Sequence, residues 1–147
     1  MSDRIEQELL AGKTILMNTR GGSMRPLLRE GKTQVLISPL QGPLKIGDLP
    51  LVRLKPGLYR LHRLVASEGE LLYTLGDHCT EAETVTADQV LGVVTEICRG
   101  SRKIDLNGPG YRLYRWVWLH TQASRILLLR LRRRLVRLIK GGQTYGS

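Results

Sequence analysis

Phenylalanine is absent from this 147-residue chain, and five tyrosines and two tryptophans are its only aromatic residues. A core built here must therefore be filled by Leu, Ile and Val. Cysteine occurs only as Cys79 and Cys98, at a separation that fits neither a metal site nor a disulfide framework. Reduced thiols and a cytosolic setting are the expectation, with no metal and no cofactor. No apolar run reaches the roughly 18 residues of a spanning helix. The start, Met1 to Leu10, carries Asp3, Glu6 and Glu8, which is too acidic for a secretory signal. Acids are also missing from the whole C-terminal segment. Residues 1–105 hold 14 Lys/Arg and all 13 Asp/Glu, whereas residues 106–147 hold the other 9 Lys/Arg and no acid. The formal charge of +10 thus sits almost wholly on the tail. Such asymmetry asks for an anionic partner, either a membrane surface or a nucleic acid.

The length suits one domain, residues 1–104, with an appendage over 105–147. Ile5, Leu9 and Leu10 recur at helical spacing over residues 3–11, and Gly12 ends that helix. Short apolar strands follow at Lys13–Thr19, Gln34–Ser38, Leu49–Leu54, Leu58–Val65, Leu71–Leu75 and Val93–Arg99. Residues 85–92 are short and mixed. Pro50 places the strand Leu49–Leu54 at a sheet edge or makes the proline its start. In Leu58–Val65, alternation puts Leu58, Arg60, His62 and Leu64 on one face. Short strands separated by Gly/Pro turns predict a mainly β, antiparallel domain.

One stretch stands apart, Gly21-Gly22-Ser23-Met24-Arg25-Pro26-Leu27-Leu28. Two glycines allow a sharp bend, and Pro26 fixes its own φ while restricting Arg25. A small hydroxyl is held on a preset backbone, as a nucleophile requires. Three histidines could serve Ser23 as base: His62 in a strand, His78 after a Gly-Asp turn, and His120 in the tail. An imidazole would take the serine proton and later deliver it to a leaving amine. Asp77, Glu81 or Glu83 could orient that imidazole, and spacing alone does not choose among them.

Gly22-Ser23-Met24-Arg25-Pro26, Gly47-Asp48, His62-Arg63, Gly76-Asp77 and Val90-Leu91-Gly92-Val93-Val94 occur in this order. Together they resemble the signal peptidase I and LexA-type serine peptidase superfamily over roughly residues 12–98. With a histidine at 62, the pattern is similar to the archaeal and endoplasmic-reticulum branch, and to short stand-alone bacterial members. The resemblance implies a mostly β fold that hydrolyses a peptide bond, with Ser23 as nucleophile and His62 as general base. It implies a catalytic role for Asp77 from the Gly-Asp turn and a third acid near Glu83, with Glu81 as the alternative. Gly22, Met24 and Pro26 would shape the turn, and backbone N–H groups of Gly22–Ser23 would form the oxyanion hole. The chain departs from the pattern at Gly31-Lys32, where Gly-Asp is usual, and at His78, where Asn is usual. Glu83 would stand in place of the usual aspartate. The expected N-terminal membrane anchor is missing, and no room precedes Ser23 for a DNA-binding domain.

After a linker at residues 100–110, the stretch 112–140 has no Gly or Pro and is rich in Leu and Arg, which predicts one helix. Leu128, Leu131, Leu135, Leu138 and Ile139 form a stripe, and Arg130, Arg133, Arg134 and Arg137 lie off it. Two readings stand for residues 111–140. In one, the helix binds an anionic membrane surface through those arginines, peripherally on the inner face. In the other, the stripe packs on the β body or a second subunit. No specific nucleic acid is expected, because no groove-reading motif or stacking platform is present. The partner of the body is a peptide or protein substrate. Three functional classes follow: a serine endopeptidase, a non-catalytic relative that binds a peptide or a membrane, and, third in order, a basic protein associated with nucleic acid.

Overall fold

The computed structural model describes residues 2–141. Strand slightly exceeds helix, 35% against 30%, and most of the helix lies in the tail, so the body is β as expected. A short helix, α1 (Ser2–Leu10), leads into β1 (Ile15–Asn18) and β2 (Thr33–Ser38). Then come β3 (Pro50–Lys55), β4 (Leu58–Leu61), β5 (Arg63–Glu68), β6 (Leu71–Leu75) and β7 (Glu83–Thr86). A single 3-10 turn at Ala87–Gln89 precedes the long β8 (Val90–Arg99) and the short β9 (Arg102–Ile104). Two helices close the chain, α2 (Pro109–His120) and α3 (Gln122–Gly141).

Every strand pair is antiparallel. One curled sheet runs β1-β2-β8-β3-β4, with β9 pairing on β8. A second sheet of three strands runs β5-β6-β7. Register shifts at Leu36/Ile37 and Leu51/Val52 interrupt the ladders on both sides of β8. Such bulges raise the local twist, which curls a sheet. Pro50 begins β3, where its missing N–H costs the ladder nothing.

The core is aliphatic, as a chain without Phe requires. Leu9, Ile15, Leu27, Leu28, Val35, Ile37, Leu49, Leu51, Val94 and Ile97 are buried together with Met24 and Tyr111. Leu9 comes from α1, and Met24, Leu27 and Leu28 come from the segment after the Gly-Gly-Ser turn. That turn is therefore anchored by the side chains that follow it.

Two sequence expectations change. The run Leu58–Val65 is not one strand, because it breaks at His62 between the two sheets. Past the break the chain takes new partners: Leu64 N–H donates to Asp48 O at 2.8 Å, and Gly47 N–H donates to Leu64 O at 2.7 Å. The alternation expected across His62 is lost at this corner. The tail is likewise two helices. At Thr121 the backbone leaves helical geometry (φ −104°, ψ 11°), and its side-chain hydroxyl donates back to Val117 O. A threonine that bonds the preceding turn competes with helix continuation. The helix α2 is also no appendage, since Tyr111 is buried in the core of the β body.

Candidate active site

Ser23 is half-buried at the tip of a turn that is fixed on both sides. Arg25 N–H donates to Gly22 O at 3.2 Å, and Leu28 N–H donates to Met24 O at 2.9 Å. The Arg25–Pro26 peptide is cis. Met24 is buried in the core, and its sulfur accepts the Asp77 N–H at 3.4 Å. His78 N–H donates to Ser23 O at 2.8 Å. The serine turn and the Gly76–His78 turn thus hold each other through backbone and thioether. Among the described residues, the N–H groups of Gly22, Ser23 and Met24 donate to nothing.

The sheet corner carries His62 into the same place. The ring is 3% exposed, and neither of its nitrogens has a hydrogen-bond partner. Nδ1 lies 3.5 Å from Glu83 Oε2 at the start of β7. The other oxygen of Glu83 lies 3.6 Å from Arg60 Nε, which fixes the carboxylate from its far side. On the opposite side of the ring is Gly76. A Cβ added to Gly76 would stand 2.6 Å from Ser23 O, 2.6 Å from Cys79 Sγ and 3.2 Å from His62 Nε2. Glycine at 76 is therefore required for the serine turn and the imidazole to approach each other. No hydrogen bond joins Ser23 Oγ to His62. Such contacts are commonly long before substrate arrives.

Burial pulls the His62 pKa below its ordinary value, and the Arg60 charge acts in the same direction. The charges of Glu83 and Asp77 oppose this without overcoming it. The imidazole is therefore neutral near pH 7 and able to accept a proton. Burial first, and then Glu83, raise the Cys79 thiol pKa. A protonated thiol is a weaker nucleophile than a thiolate.

Asp77, expected in the catalytic set, is engaged elsewhere. Its two oxygens accept from Arg63 Nε at 2.8 Å and Arg63 Nη2 at 2.9 Å, and Tyr114 OH donates to one of them at 2.9 Å. Both side chains of this ion pair are 1% exposed. Arg63 also donates to Gly47 O and Tyr111 OH, so every nitrogen of the guanidinium makes a hydrogen bond. Burial works against that charge, but Asp77 and Tyr111 outweigh it and hold the Arg63 pKa above its usual range. Burial, then the Asp77 carboxylate, raise the Tyr114 phenol. The Asp77 carbonyl accepts from Trp118 Nε1 and Arg125 Nη1, which ties α2 and α3 to the turn beside the serine. Asp77 is thus a structural hub, and the carboxylate against the imidazole is that of Glu83. Glu81 is exposed on the intervening loop.

The remaining expected residues divide. Pro26 is exposed and Gly22 half-buried in the turn itself. His120 is exposed on α2, stacked on Trp116. Of the four tail arginines, Arg133 reaches the body, where Nη1 donates to Thr80 Oγ1 at 3.1 Å. Arg137 lines a groove against the same loop. Both remain exposed to solvent on their other sides. Arg130 and Arg134 are exposed. Sequence reasoning gave Arg63 no role beyond its place in the His62-Arg63 pair, and gave Tyr114, Trp118 and Arg125 none at the site. The one available signal was the arginine directly after His62, followed by Leu64 and Val65.

The fold and site define a β scaffold that brings a serine turn and a buried histidine together at one glycine, with a carboxylate beside the other ring nitrogen. Comparison with family models, curated proteins and solved structures finds no match to this chain.

Proposed function

We propose that this chain is a serine endopeptidase of the signal-peptidase-like type, with Ser23 as nucleophile, His62 as general base and Glu83 as the acid that orients it. The observation that carries this reading is the convergence of the Ser23 turn and His62 Nε2 on Gly76, with Glu83 on the other ring nitrogen. Ser23 Oγ attacks the scissile carbonyl carbon, and its proton passes to His62 Nε2. The free N–H groups of the Gly22–Met24 turn receive the oxyanion, worth about 2.7–4 kcal/mol per donor in well-studied enzymes. The C–N bond then breaks as the imidazolium protonates the leaving amine. Water, deprotonated by the same imidazole, hydrolyses the acyl-serine and restores the hydroxyl. Glu83 stabilises the imidazolium in both halves.

The test is digestion of a mixed peptide library followed by mass spectrometry, with wild type, Ser23→Ala and His62→Ala. Cleavage should be present in the first and lost from both variants. Equal cleavage in all three would sink the proposal. A second reading, a relative that binds a peptide without cutting it, is favoured by the missing Ser23 Oγ–His62 hydrogen bond. It predicts peptide binding by wild type with no products.

A membrane-peripheral location on the inner face is a further part of the proposal. No helix among the described residues is long and apolar enough to cross a membrane. On α3, however, Leu127, Leu128, Leu131, Leu135, Leu138 and Ile139 are all exposed, Leu138 at 72%. At 100° per residue they share one arc, roughly opposite Ile126 and Arg133. The surrounding segment is wholly cationic, which complements the anionic lipids of an inner leaflet better than a second cationic copy. Flotation with phosphatidylglycerol vesicles should be lost in Leu131→Ser/Leu135→Ser. Flotation unchanged by that variant, or equal with neutral lipid, would count against it.

A further inference from the structure

A groove of about 370 Å³ runs between α3 and the loop after Gly76, lined by His78, Leu129, Arg132, Arg133, Val136 and Arg137. It adjoins the site directly. The backbone N–H of His78 is bonded to Ser23 O, and Arg133 is bonded to Thr80 on the same loop. Arg133 is thereby used in holding α3 against the loop. Arg132 and Arg137 have neither a hydrogen bond nor an ion pair among the described residues, and no acid lines the groove. The nearest buried carboxylate, Asp77, is taken up by Arg63 and Tyr114. Two guanidiniums without partners therefore face a concave surface next to the nucleophile. Guanidinium groups suit planar carboxylates, which they can grip with paired N–H donors.

We infer that this groove binds a carboxylate-bearing segment of the substrate, so that the peptide cut at Ser23 is acidic on the side of the scissile bond that lies along α3. This rests on the peptidase reading for the word "cut", but not for the binding. The carboxylate could belong to an Asp or Glu side chain or to a chain terminus, since both offer the same two oxygens. A lipid phosphate is the weaker occupant, because the groove lies against the loop after Gly76 while the apolar arc centres on the far side of α3. A pair of partly exposed charges of this kind should contribute about tenfold in affinity.

Binding can be measured without catalysis, on the full chain carrying Ser23→Ala. The probes are a fluorescein-labelled Ala/Asp peptide and its Ala/Asn counterpart, each with a free and an amidated C-terminus, followed by anisotropy. The acidic peptide should bind about tenfold tighter, and Arg132→Gln/Arg137→Gln should erase that difference. The control Arg130→Gln/Arg134→Gln removes the same charge from the same helix outside the groove and should keep it. If the Asp and Asn peptides bind alike and both weaken on amidation, the carboxylate is terminal; if the Asp preference survives amidation, the carboxylate is a side chain. Equal binding of all four peptides overturns the inference. So does an equal loss in both double variants, which would mean attraction by net charge alone. So does an effect of Arg132→Gln/Arg137→Gln on phosphatidylglycerol vesicles with none on peptide. An acidic preference with no cleavage by wild type would instead leave the groove standing and remove the peptidase.

Discussion

His62 Nδ1 stands 3.5 Å from Glu83 Oε2, and neither atom has a hydrogen-bond partner. The pair is near enough to act electrostatically and too long for a strong hydrogen bond. A shift of a few tenths of an ångström on binding substrate would close it. Glu83→Gln should lower kcat/KM by about 10²-fold, within the range seen when a base loses its positioning. Because the Glu83 charge raises the His62 pKa, the acid limb of the pH–rate profile should also move to lower pH. Steady-state kinetics across pH 4–8 check both. Unchanged rates in Glu83→Gln would assign the carboxylate to Arg60 alone.

The His62 imidazole is held below its ordinary pKa of about 6.5 by burial. Between 6.5 and the lower folded value, the unfolded chain binds the proton and the folded chain does not. Stability contributed by this group is therefore present above about pH 6.5 and lost as pH falls through that window. Urea unfolding at a series of pH values should show this slope, and His62→Gln should flatten it. A ring titration by NMR with a midpoint at or above 6.5 would contradict the assignment.

Arg63 and Asp77 form a buried pair, and removing one member strands the other. Arg63→Met should cost about 3–5 kcal/mol of stability. Arg63→Met/Asp77→Leu should cost less than the single change, since no charge is left alone. Denaturant titration of the three proteins decides. A single variant close to wild type would mean that the pair is open to water.

Gly76 is where a methyl group would disturb the site directly. Gly76→Ala places carbon 2.6 Å from Ser23 O and Cys79 Sγ, so the serine turn must move. About 1–3 kcal/mol of stability should be lost, and kcat/KM should fall at least about tenfold at temperatures where the protein remains folded. Gly42→Ala, where an added Cβ meets nothing within 4 Å, is the control and should change neither.

The β body, α1 and the Ser23 turn were legible because each is local. Turn residues, a helical repeat and a Gly-Gly-Ser-Met-x-Pro stretch announce themselves within a few positions. The break at His62 was not, because it is set by Gly47 and Asp48 pairing with Leu64. Asp77 looked catalytic from its place after Gly76. Its real partners, Arg63 and Tyr114, are far away in the sequence. The split of the tail was hidden for a similar reason. Nothing in its composition marks Thr121, and the contacts that hold Trp118 and Arg125 in place run to Asp77 O. Glu83 was one of three acids that spacing left open, and the corner at His62 is what brings it to the imidazole.

The most direct test of Ser23 as a nucleophile activated by His62 is covalent labelling with a fluorophosphonate, followed by intact mass and tryptic mapping. Wild type should carry one adduct, on Ser23. Ser23→Ala should carry none, and His62→Ala should react at least about 10²-fold more slowly. An adduct that persists in Ser23→Ala, or labelling at an unchanged rate in His62→Ala, would contradict it.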